Sequence, residues 1–181
     1  MKLIRETYEK IGNKPEKDIT SRILRVMEKF KNDEFCGKNT RLFASFLSYV
    51  ITEDNEDIGF LYLVKENYNN ILFMDIGVIS KYRGRGIASS ATKEVVDIMT
   101  QHFPDFVIAE VRSNNIASLK VVEKLNGIKV GEQHYLLQPE RKKEYLKYAS
   151  ENNVDLSKST YDYVSMMKEI MDNYSPKIYK K

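Results

Sequence analysis

The chain has one cysteine, Cys36, and no tryptophan. A single thiol excludes an internal disulfide and any cysteine-rich zinc site. Only two histidines are present, His102 and His134, and their separation matches no metal-pair spacing, so no metal is expected. No apolar run approaches the roughly 20 residues that span a bilayer, so no membrane partner is expected. The opening residues, Met1 to Lys10, are too acidic and too short in apolar length for a secretion signal. Charge of one sign is also missing. Lys+Arg 29 against Asp+Glu 26 leave a net +3, too small an excess to argue for nucleic acid. What is there is a chain of 181 residues, 42% apolar and 30% charged. That is the profile of a globular protein with the length of one ordinary domain. The expectation is a soluble, cytoplasmic protein.

Hydrophobic periodicity orders the chain. Ile19, Ile23, Leu24, Met27 and Phe30 recur at helical spacing and predict a helix over 18–31. Phe43–Thr52, Ile58–Lys65 and Ile71–Ile79 read as three strands, separated by the acidic turn at 53–57 and the polar turn at 67–70. The period then lengthens. Ile87, Ala91, Val95 and Ile98 share a helical face, Pro104 marks the exit, and Phe106–Val111 reads as a strand. A helix over 116–125 carries Ile116, Leu119, Val122 and Leu125, and Asn126-Gly127 tolerates the left-handed backbone that closes it. Lys129–Leu137 reads as one last strand. Pro139 suits the first position of a helix over 139–151, and Tyr163, Met166, Met167, Ile170 and Tyr174 predict another over 158–174. This is an α+β, mixed α/β arrangement with helices covering a sheet. It divides into a body over 1–138 and a helical extension over 139–181. The apolar stripe of the extension serves either packing or a homodimer face.

The stretch that carries chemistry is Asp75-Ile-Gly-Val78-Ile79-Ser80-Lys-Tyr82-Arg83-Gly84-Arg85-Gly86-Ile87-Ala88-Ser89. A buried strand runs into a glycine turn and then directly into an amphipathic helix. Gly84 and Gly86 let the backbone approach a ligand, and the first helical turn adds N–H donors that have no intrahelical partner. Such a turn cradles phosphate without needing side-chain charge. A P-loop would require Lys and Ser/Thr after the glycine, where Ile87 and Ala88 stand. A dinucleotide fingerprint would require a third glycine, where Ser89 stands.

Arg83-Gly-Arg-Gly86-Ile-Ala88 resembles the acyl-CoA pyrophosphate loop of the GNAT superfamily of N-acetyltransferases. Asn115-Ile-Ala-Ser118-Leu-Lys-Val-Val-Glu-Lys124-Leu-Asn-Gly127 resembles that family's second block, about 30 residues further on. The resemblance covers roughly 40–137. It implies a mostly antiparallel twisted sheet, splayed at the acyl-CoA site, with helices on both faces. It also implies acetyl-CoA as co-substrate and an amine acceptor, either a small molecule or a protein N-terminus. By position, Val78, Ile79 and Ser80 would meet the pantetheine arm, with the Val78 N–H polarising the thioester carbonyl. Arg83, Gly84, Arg85, Gly86, Ile87, Ala88 and Ser89 would hold the pyrophosphate, and Asn115 and Ser118 would fasten the arm or its neighbouring strand.

The family's frequent general acid, a tyrosine four residues after the Ser118 position, is replaced here by Val122. The remaining candidates for proton transfer are Asp75, which interrupts an apolar strand, Glu110 on the following strand, and Tyr135, which could replace the missing acid. Each also has a plain reading: Asp75 and Glu110 as structurally paired carboxylates, Tyr135 as packing. His134 is weighed in the same way, as imidazole catalyst or core residue. The alternative to an acetyl-CoA-dependent N-acetyltransferase is an idle CoA-binding module of the same fold.

Overall fold

The structure, a computed structural model, describes residues 1–6, 10–11, 14–15, 26, 45–65 and 68–157. The predicted helix over 18–31, apart from Val26, and the predicted helix over 158–174 lie outside the described residues. The strands are β1 (Lys2–Glu6), β2 (Lys10–Ile11), β3 (Lys14–Pro15), β4 (Ser45–Glu53), β5 (Glu56–Lys65), β6 (Ile71–Val78), β7 (Phe106–Glu110), β8 (Ile128–Lys129) and β9 (His134–Leu136). The helices are α1 (Ile87–His102), α2 (Ile116–Lys124) and α3 (Lys142–Glu151), with single 3₁₀ turns at Ser80–Tyr82 and Pro139–Arg141.

Seven strands form one sheet in the order β1-β4-β5-β6-β7-β9-β8, while β2 and β3 pair separately. Every pairing is antiparallel except β6 with β7. That exception follows from α1, which carries the chain from the end of β6 back to the start of β7. The β4–β5 connection is a two-residue hairpin with both turn residues at positive φ, Asp54 at 50° and Asn55 at 65°. Asp and Asn tolerate this backbone better than other non-glycine residues.

Several structural features depart from the sequence reading, the small β2–β3 pair among them. β1 was not anticipated: Lys2–Glu6 adds an edge strand antiparallel to β4. The predicted strand over 129–137 is broken into β8 and β9 by the tight turn at Gly131–Gln133, so that two short strands pair with one another.

Strand alternation sorts the core. Leu61, Leu63, Leu72, Met74, Val107 and Ala109 project to one face, where they meet Ile87, Ala91, Val95 and Met99 of α1 and Val122 of α2. The other face carries Ile71, Phe73, Phe106, Ile108 and Leu136 beneath Tyr145 of α3 and Leu156. It continues onto β5 as Phe60, Tyr62 and Val64. The described part of the extension is pinned to β7. Arg141 donates to the carbonyls of Pro104 and Asp105, each at 2.9 Å, and its guanidinium lies 4.5 Å from the centroid of the Phe106 ring. Tyr145 meets Phe106 edge-on.

Candidate active site

The decisive geometry is where β6 and β7 part. Their parallel rungs run from Ile71–Phe106 to Met74–Ala109 and stop there, although β6 continues to Val78 and β7 to Glu110. Past Met74, among the described residues, β6 pairs only with β5. The direction of its backbone groups follows from the antiparallel alternation. Ile79 N–H donates to the Ile58 carbonyl at 2.8 Å, so the next residue back, Val78, and then Ile76 turn their N–H and C=O groups away from β5. Those groups face the gap. The Val78 N–H therefore points into the gap. The Ile79 N–H does not, because β5 takes it, and the Ser80 carbonyl is taken by Arg83 N–H at 3.1 Å within the 3₁₀ turn.

At the end of this gap the chain turns through Gly84 (φ 77°) and Gly86 (φ 79°), and Gly86 is the N-cap of α1. Both require the left-handed region, where an L side chain is strained. Among the described residues a Cβ built on either glycine would meet nothing within 4 Å, so none of them fills the space beside the loop. The first intrahelical bond is Ser90 N–H to the Gly86 carbonyl, at 3.0 Å. The N–H groups of Ile87, Ala88 and Ser89 thus precede the helical ladder and sit at the positive end of its dipole. The turn suits a pyrophosphate on main-chain donors.

The side chains of the loop make contacts of their own within the protein. Arg83 Nε donates to the Val78 carbonyl at 2.7 Å, which struts the loop against the end of β6. Arg85 reaches back to Glu53 at 2.7 Å. Lys81 pairs with Glu56 at 3.0 Å, and Tyr82 Oη donates to the same carboxylate. The hydrogen bond that the Lys81 ammonium donates to Glu56, and secondarily its hydrogen bond with Tyr82, hold it above its ordinary pKa. The cations placed at phosphate by sequence are tied to the loop itself and to the β4–β5 hairpin. The partner of Arg83 is five residues back, whereas that of Arg85 lies about 30 residues away in sequence, where no local pattern announces it.

The second block is also partly structural. Asn115 is the N-cap of α2, and its Oδ1 accepts the Ser118 N–H at 3.2 Å, a role asparagine performs widely. Ser118 is half-buried on the first turn of α2. Val122 is 5% exposed. A Cβ at Gly127 would come within 2.6 Å of Val122 Cγ1, so Gly127 is required by the valine against which it packs. The left-handed residue that closes α2 is Asn126 (φ 54°).

Of the proton-transfer candidates, the structure unites two and separates the third. Asp75 follows Met74, and Glu110 follows Ala109, so each is the first residue of its strand beyond the last shared rung. Asp75 opposes Tyr62, and Glu110 opposes His134, both on the α3 face of the sheet. Tyr135 opposes Ala109 and packs into the core beneath α1 and α2, on the other face. Among the described residues no three His, Cys, Asp or Glu side chains group as a metal site requires.

The family model for the acetyltransferase (GNAT) family matches residues 15–128, well over half of the chain. The chain belongs to the GNAT acetyltransferase family. Among solved structures, a domain from Methanocaldococcus jannaschii superposes with a TM-score of 0.51 at 14% identity, covering 75% of this chain and 96% of that one. At that identity the likeness concerns the fold. Mycobacterium smegmatis RimJ, solved with CoA-disulfide, gives a TM-score of 0.42 at 23% identity over 50% of each chain. A GNAT-family acetyltransferase from Bacillus anthracis gives 0.43 at 17% identity, over 50% of this chain and 60% of that one. The matched part thus spans only half to three-fifths of these last two proteins. No curated protein sequence matches the chain significantly.

Proposed function

We infer that the protein is an acetyl-CoA-dependent N-acetyltransferase that transfers acetyl to a primary amine by direct attack on the thioester. The observation that carries this reading is the β6–β7 gap, lined by the Val78 N–H and leading to the Gly84–Gly86 turn at the start of α1. Acetyl-CoA bound there supplies an acetyl group already activated as a thioester. The N–H groups of Ile87, Ala88 and Ser89 bind the pyrophosphate, and those of Ile76 and Val78 fix the pantetheine arm in strand-like fashion. The Val78 N–H stabilises the charge that develops on the carbonyl oxygen during attack. A carboxylate at the mouth of the gap, Asp75 or Glu110, takes the proton from the acceptor amine directly or through one water. Holding both reactants in register is the larger contribution.

Val122 supports a second reading, an idle CoA-binding module, because it fills the position of the family's frequent acid with a packed aliphatic side chain. A screen of small amines, polyamines and peptide N-termini with acetyl-CoA, read by CoA release, separates the two. The enzyme gives release with at least one acceptor class. The idle module binds acetyl-CoA and releases CoA with none.

A further inference from the structure

Glu110 and His134 are direct cross-strand partners on β7 and β9. His134 Nε2 lies 4.0 Å from Glu110 Oε2, with the two side chains 0% and 2% exposed. Burying ionisable groups is costly unless their charges are compensated, so two of them side by side at the mouth of the gap are not incidental surface chemistry. The imidazole is held from its other sides. Phe73 of β6 meets it edge-on, with ring centroids 6.0 Å apart and planes at 71°. On the Nδ1 side the turn passes so close that a Cβ at Gly131 would stand 3.1 Å away, and that same Cβ would meet the Leu156 carbonyl at 2.5 Å. The glycine therefore makes room for both the ring and the segment that covers it. Other titratable groups among the described residues of the surrounding elements include Asp75 on β6, Glu132 in the β8–β9 turn, Tyr68 before β6, Tyr145 and Tyr148 of α3, and Asp155 after α3.

We propose that His134 is a positioning residue for Glu110: the buried imidazole, directly across the strand pair, fixes the orientation of the carboxylate at the gap, ready to accept the amine proton. This rests on the reading that the gap takes acetyl-CoA and an amine. The step balances simply. The amine nitrogen bonds to the carbonyl carbon, its proton passes to a Glu110 oxygen, and the carbon–sulfur bond breaks with its electron pair leaving on the thiolate. Glu110 returns its proton to solvent as the product departs. His134 touches neither substrate and acts only through Glu110.

The chain contains just two histidines, which makes the test direct. The ring resonances of the ¹⁵N-labelled full chain are titrated by NMR with His102 as internal reference. Glu110→Gln should lower the His134 midpoint by about one pH unit or more, the usual effect of losing an opposite charge at this distance, and leave the His102 midpoint where it was. Saturating acetyl-CoA should shift the His134 ring signals in the wild type and not those of His102. If Glu110→Gln does not fold, Glu110→Asp carries the same test, because retracting the carboxylate moves the midpoint in the same direction by less. A His134 midpoint that ignores both substitutions overturns the proposal, whatever acetyl-CoA does. A midpoint that moves, in a protein whose melting curve and ring signals ignore acetyl-CoA, overturns the catalytic assignment along with the functional reading.

Discussion

Asp75 and Glu110 each stand one residue past the last β6–β7 rung, Met74–Ala109, and project from the same face of the sheet. The two strands therefore deliver a carboxylate apiece to the point where they diverge. Asp75→Asn combined with Glu110→Gln preserves shape and removes the capacity to accept a proton. The double variant should still show the acetyl-CoA melting shift, while CoA release falls roughly 10²–10⁴-fold, the usual worth of a positioned base. Unchanged release would leave both residues structural.

Val122 explains why the missing acid cannot simply be restored. Its side chain is buried against the closure of α2, where Gly127 leaves no spare volume. Val122→Tyr should destabilise the fold by about 1–3 kcal/mol, the range for overpacked cores, with no gain in CoA release. Chemical denaturation and the release assay check this together. A stable variant with faster turnover would show that the position retains its use as an acid.

The contact between Arg85 and Glu53 predicts a competition. A carboxylate 2.7 Å from the guanidinium opposes any turn of that side chain toward phosphate. The pair is partly exposed, so its worth is about 0–1 kcal/mol. Glu53→Gln should tighten acetyl-CoA binding by no more than about five-fold and steepen its salt dependence, both measurable by titration calorimetry. Weaker binding would mean that Glu53 holds Arg85 in place for the ligand.

Tyr145 gives the fold a pH signature. Burial, with a smaller contribution from Tyr68, raises its phenol to about 12 from the usual 10. In the unfolded chain it ionises first, so its contribution is complete below pH 10 and is lost as the pH rises to about 12. Tyr145→Phe should flatten that part of the stability profile relative to the wild type. Equal slopes for the two proteins between pH 10 and 12 would refute the assignment.

Much of the architecture was legible because its signals are local. The strands β4 to β6 show as apolar runs between turn residues, and α1 and α2 as helical stripes beside them. The glycine turn is legible for the same reason: the conformation that Gly84 and Gly86 adopt is one that few other residues accept. β1 escaped notice because five residues with three charged ones, Lys2, Arg5 and Glu6, carry almost no alternation of their own. β4 supplies its reason to exist. The β8–β9 break was hidden because Gly131 serves a contact with Leu156, 25 positions away, that composition does not encode. Register decided the rest. Asp75, Glu110 and Tyr135 are all proton-transfer candidates by sequence, and only pairing shows that the tyrosine faces the opposite side of the sheet from the two acids. The ties of Arg85 to Glu53 and Lys81 to Glu56 join the loop to a hairpin whose position depends on three strands being assembled.

The central claim is that the Gly84–Gly86 turn and the β6–β7 gap form an acetyl-CoA site, and thermal unfolding with and without the ligand tests it most directly. At 100 times its dissociation constant, acetyl-CoA should stabilise the wild type by about 2.7 kcal/mol. Dephospho-CoA should retain most of that effect, because the main-chain donors face the pyrophosphate. Gly86→Glu places a side chain and a negative charge over those donors. It should melt within a few degrees of the wild type when alone, since the left-handed backbone costs about 1–2 kcal/mol, and should not respond to acetyl-CoA. A wild-type melting curve unmoved by saturating acetyl-CoA and CoA would contradict the account.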